Sequence, residues 1–149
     1  MTTHSPEIVK QLVFKNLLLV SDNNSGATLK KISNVLDHEL PYPSLNEVNF
    51  VAFGEGTIEY FNELYGFITE KNWLKEYLRN KPKRNYIMFK NGTQQGCPNT
   101  TIPEYIRHQI HHPENKLNTR YEHAELLECI ENMRMFLKTK KSENSNALS

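Results

Sequence analysis

Two cysteines, Cys97 and Cys129, are all that this 149-residue chain contains. They form neither a CxxC pair nor a disulfide framework, so a reducing, cytoplasmic location is expected. Long hydrophobic runs are lacking too: no stretch approaches the roughly eighteen consecutive apolar residues of a membrane span. The first residues, MTTHSPEIVKQ, carry no basic segment followed by an apolar core, so neither a secretion signal nor membrane attachment is expected. Charge of one sign is missing as well. The net charge is +1, which gives no support for a globally basic nucleic-acid binder, and any electrostatic argument must rest on local distribution. There is no Gly-Lys-Ser/Thr phosphate loop, no GxGxxG, no GxSxG and no HExxH. Nucleotide hydrolysis, dinucleotide binding, serine-hydrolase chemistry and the common zinc-protease site therefore have no motif to stand on.

The composition is that of an ordinary folded domain: 38% hydrophobic and 23% charged, enough to bury a core at this length. Helical spacing dominates. Ser5 and Pro6 suit a helix start, and Val9, Leu12, Val13, Leu17 and Val20 would form one apolar face. The turn cluster from Ser21 to Gly26 should end that helix. A second, with Leu29, Ile32, Leu36 and Leu40, would run to Pro41. Residues 41–56 read as irregular, having two prolines and two glycines. A third helix is expected from Thr57 to about Phe67, with Tyr60 and Tyr65 in its core stripe. A fourth, capped by Thr69 and carrying Trp73, Leu74, Tyr77 and Leu78, would stop at Pro82. Residues 82–100 read as an extended loop or minor hairpin, with Asn91-Gly92 as its turn. Thr101-x-x-Glu104 and Thr119-x-x-Glu122 have capping-box spacing and announce two more helices, the last with Leu126, Ile130, Met133 and Leu137 on one face. The expectation is a mainly α fold: a single helical bundle of about five to six helices over residues 1–141, followed by a polar tail at 142–149.

The chemistry gathers at Arg107-His108-Gln109-Ile110-His111-His112. Ile102, Ile106 and Ile110 would anchor this helix, which should end near His112 because Pro113 disfavours a helical residue before it. Arg107 and His111 share a face, as do His108 and His112, while Arg107 and His112 diverge by about 140° on an ideal helix. Only a loosened helix end would bring them together. A guanidinium is a fixed cation and fork donor for phosphate. An imidazole moves protons near neutral pH. Together they meet the needs of metal-independent RNA cleavage, in which the substrate's own 2′-hydroxyl is the nucleophile. No cofactor and no metal are expected, although His108 and His112, with His111 or Glu114, have the spacing of metal ligands on one helical face.

This run resembles the motif of HEPN domains, in which an arginine, a polar residue and, after a few positions, a histidine occur in a small helical domain. The resemblance implies Arg107 as the arginine, His108 as the polar neighbour and His112 as the histidine, with His111 as a competing base. It further implies a homodimer with two motifs forming one endoribonuclease site, and a role as a toxin or antiphage effector. The alternative is a non-catalytic module that binds RNA or protein and partners an antitoxin, ATPase or nucleotidyltransferase.

Local charge supports an RNA partner. Between Glu76 and Glu104 there is no acidic residue, yet Arg79, Lys81, Lys83, Arg84 and Lys90 occur there, interleaved with Tyr86 and Phe89. Lys81, Lys83, Arg84, Tyr86, Phe89 and Lys90 are the candidate RNA-binding residues, because cations beside aromatics suit a phosphate track with stacked bases. Downstream, Glu114, Glu122, Glu125, Glu128 and Glu131 make an acidic half.

Overall fold

The structure, a computed structural model, describes residues 18–23, 26–31, 39–41, 44–90 and 92–147. The chain divides into two compact units, Met1–Glu55 and Gly56–Ser149.

In the first unit, β1 (Leu18–Asn23) and β2 (Gly26–Lys31) form an antiparallel pair in the register Leu18↔Lys31 to Asn23↔Gly26. This corrects the two helices expected there. Val20 and Leu29, each assigned to a helical stripe, are instead cross-strand partners, and the Asn23↔Gly26 pairing leaves the two-residue connection of a tight hairpin. The remaining positions assigned to those helices, from Ser5 to Leu17 and at Ile32 and Leu36, lie outside the described residues. A helix, α1 (Leu45–Phe53), also replaces the irregular segment expected at 41–56. Pro41 and Pro43 precede its N-cap and Gly54 follows its last turn, so the supposed breakers punctuate the helix from outside. The Ser44 hydroxyl accepts the Glu47 amide at 3.1 Å, and Gly54, at φ +70°, donates its N–H to Phe50. Glu47 is fully buried and accepts the Glu39 amide at 3.0 Å.

In the second unit, α2 (Ile58–Glu70) packs against the long α5 (His123–Ala147), with α3 (Leu74–Leu78) and α4 (Ile102–His111) alongside. Thr57 caps α2, accepting the Tyr60 amide at 3.1 Å. Tyr60, Phe61, Leu64 and Ile68 of α2 are buried, as are Ile106 of α4 and Leu126, Ile130, Met133 and Leu137 of α5. The Arg134 guanidinium ties α5 to α2 by donating to the Tyr60 hydroxyl at 2.6 Å. Two expected caps are absent. Thr69 lies inside α2 and donates its hydroxyl to the Tyr65 carbonyl, and the chain breaks at Asn72, which adopts φ +60°, before α3 begins after Trp73. Thr119 does not cap α5, whose first turn is served instead by Glu125 accepting the Glu122 amide at 3.0 Å. α5 continues to Ala147, through much of the polar segment.

Between α3 and α4 the chain makes two nested antiparallel pairs. β3 (Lys83–Asn85) pairs with β6 (Asn99–Thr101), and β4 (Met88–Lys90) with β5 (Thr93–Gly96), turning beside Gly92 at φ +77°. The purely helical bundle is thus overturned: the described residues hold five helices and six short strands in three two-stranded sheets, an α+β mixture. No described helix is long and apolar enough to cross a membrane.

Candidate functional site

The α4 helix starts with a capping box. Glu104 accepts both the Thr101 amide, at 3.1 Å, and the Thr101 hydroxyl, at 2.7 Å. Its buried side is Pro103, Tyr105, Ile106 and Gln109, which leaves Arg107 and His108 half-buried at its flanks and His111 and His112 exposed at its end. The loop that follows is tied back to it. Gln109 donates its amide to the Thr119 carbonyl at 2.7 Å and accepts the Tyr121 amide at 3.0 Å, while the Tyr105 hydroxyl also reaches Thr119.

His112 leaves the helical region, at φ −126° and ψ 62°, as Pro113 requires. That is the loosened end needed for convergence: Arg107, His108, His111 and His112 line one open cleft of about 310 Å³, together with Tyr65 and Glu104. The Arg107 guanidinium lies over the Tyr65 ring, its Cζ 4.5 Å from the centroid. Glu104 is engaged with Thr101, and among the described residues no carboxylate stands within ion-pair distance of Arg107. The guanidinium edge is therefore available to an anion. Burial, then Glu104, pushes the Tyr65 phenol up to about 12 against the opposing pull of Arg107, so it remains protonated at neutral pH. Tyr65 serves as a platform, not a base.

The histidines stand in different surroundings. His108 packs against Tyr86 with ring centres 4.9 Å apart and planes tilted by 30°, and it stacks on His112 at 6.5 Å. Tyr86 is itself buried, edge-on to Tyr105 at 5.6 Å, and its hydroxyl accepts the Asn115 amide at 3.2 Å. Burial first, and then the neighbouring His112, Arg107 and His111, lower the His108 pKa against the pull of Glu104. His108 is therefore a neutral stacking group at neutral pH. His112 Nδ1 faces Glu114 Oε1 at 3.3 Å, and Glu114 is held below the usual carboxylate range, first by its own backbone N–H and then by His112. With Nδ1 so engaged, Nε2 is the nitrogen left for proton transfer.

The six basic-stretch candidates separate into two groups. Tyr86, Phe89 and Lys90 line a groove of about 760 Å³ that shares His108 and His112 with the Arg107 cleft. Lys81, Lys83 and Arg84 line a different depression, with Glu125 and Glu128 on its wall. Arg84 makes a bidentate ion pair with Glu125 and lies 4.9 Å from the Tyr105 ring centre, which occupies its fork. Lys81 lies over Tyr77 at 4.8 Å. A single track along residues 81–90 is not what these side chains make.

Among the described residues no group of three or more His, Cys, Asp and Glu side chains is arranged to hold a metal ion. Cys97 is exposed, and Cys129 is buried, its thiol pushed up to about 12 chiefly by burial and then by Glu128. Sequence reasoning missed Asn115 and Asn118, which hold the Ile87 carbonyl at 2.8 and 2.9 Å and fix the hairpin beside the histidines. It also placed Tyr65 in the core without its Arg107 contact, for which the sequence carries no local signal. Comparison with known protein families, with curated proteins and with solved structures returns no match.

Proposed function

We propose that the chain is a metal-independent endoribonuclease acting at the Arg107–His112 cleft. The observation that carries the reading is that a guanidinium with no carboxylate partner among the described residues and three imidazoles of one short segment line one open cleft. In the proposed reaction an imidazole takes the ribose 2′-hydroxyl proton and the 2′-oxygen attacks phosphorus. The P–O5′ bond breaks and its oxygen leaves protonated, giving a 2′,3′-cyclic phosphate and a 5′-hydroxyl. Arg107, fixed on Tyr65, stabilises the charge that grows on the non-bridging oxygens. His112, oriented by Glu114, is the acid/base, with His111 as the second proton carrier, and neutral His108 positions His112 by stacking. The link to HEPN domains, and with it a toxin or antiphage role, rests on the Arg107-His108-x3-His112 pattern alone.

Purified protein should cut RNA in EDTA and leave 2′,3′-cyclic ends. Arg107→Ala and His112→Ala should each slow cutting by roughly a hundredfold or more while leaving thermal unfolding unchanged. Unaltered cutting in both variants would sink the proposal. RNA binding without cutting by the wild type would instead favour a binding module acting for a partner such as an ATPase or nucleotidyltransferase.

A further inference from the structure

We propose that the groove between the β4–β5 hairpin and the end of α4 holds an unpaired nucleobase, so that the substrate of the neighbouring cleft is single-stranded RNA. The inference rests on the reading of the Arg107 cleft as a phosphate site. Its own support begins with Met88 and Phe89, which are 45% and 46% exposed although both are large and apolar. Successive residues of a regular strand face opposite ways. Here the pairing slips between Met88 and Phe89, and this bulge lets both side chains line the same groove. The device re-aims an apolar wall at open space next to the histidines.

Tyr86, His108 and His112 line the same groove, the Tyr86 and His108 rings lying 4.9 Å apart and tilted by 30°, and Lys90 adds a cation to the lining. Aromatic and apolar lining of this kind takes up a flat ring by stacking, and stacking asks for no particular base. His108 and His112 form the ridge between this groove and the Arg107 cleft, since they line both. A ligand crossing that ridge must be anionic on the Arg107 side and planar and apolar-faced on the Phe89 side. A nucleotide has both ends, whereas a base-paired duplex hides its base faces in its own stack.

The test measures binding of the full chain in EDTA to three 2′-O-methyl strands that cannot be cut: a single strand, an abasic strand of equal length, and a duplex. The abasic strand and the duplex should bind roughly five- to a hundredfold more weakly than the single strand. Phe89→Ala should remove most of that difference and Phe89→Trp should keep it. An abasic strand that binds the wild type as well as the single strand overturns the inference, as does full discrimination retained in Phe89→Ala. Arg107→Ala should weaken all three strands alike. If it weakens none, the phosphate reading of the cleft fails while the Phe89 comparison still judges the groove.

Discussion

His108 is the residue at which the two clefts meet, and its surroundings give it a measurable pH signature. Its ring packs against buried Tyr86, and burial outweighs the other influences that lower its pKa. In the unfolded chain the same imidazole takes up a proton near its ordinary value of 6.5. Above that pH both states are neutral here and His108 adds no pH dependence. As the pH falls below 6.5 the unfolded state binds the proton first, so stability declines until the native state is protonated too. His108→Phe keeps a flat ring against Tyr86 and removes the titration. The thermal midpoint of the variant should accordingly fall less than that of the wild type between about pH 7 and pH 5. Parallel pH profiles for the two proteins would show that His108 does not carry this dependence.

The element that positions the site is α4 together with the loop behind it, and its key is Gln109. Although polar, Gln109 is only 3% exposed, and its amide satisfies a carbonyl at Thr119 and an N–H at Tyr121. Gln109→Leu keeps the volume but strands the Tyr121 amide, since Thr119 alone retains a partner in Tyr105. The loss should be about 1–3 kcal/mol in urea denaturation, with faster hydrogen exchange at Tyr121. Unchanged stability would mean that water replaces the side chain and that the loop is held elsewhere. Elements such as α2 and α4 were legible because Thr57 and Thr101 cap them through contacts three residues away. The β1–β2 hairpin was not, because Val20 continues the helical spacing of Leu17 and Leu29 that of Ile32, while the partner each one meets lies across the turn. α1 was not legible because the prolines and glycines that make residues 41–56 read as irregular merely bracket the helix. In the site, the run from Arg107 to His112 was legible as one local cluster. The partners that decide its chemistry are remote: Tyr65 lies 42 positions from Arg107 (107 − 65), and Arg84 is neutralised by Glu125, 41 positions away.

At the scale of the whole molecule, the question is whether one chain or two make the site. The net charge of +1 hides a basic region around residues 79–90 and an acidic one on the first turns of α5. The Arg84–Glu125 pair joins these regions within a single chain, so part of their attraction is already satisfied internally. The cleft follows the same pattern, since Arg107 and His112 line it from one copy. Chain-internal and shared sites differ in a mixing experiment. In a twofold dimer whose sites each take the arginine from one copy and the histidine from the other, mixing Arg107→Ala with His112→Ala rebuilds one intact site in half of the dimers. About a quarter of wild-type cutting then returns. With both groups supplied by the same chain, every cleft in the mixture lacks one of them, and cutting should stay at the level of the single variants. Recovery on mixing would move the site to an interface between copies and separate it from the cleft at the end of α4.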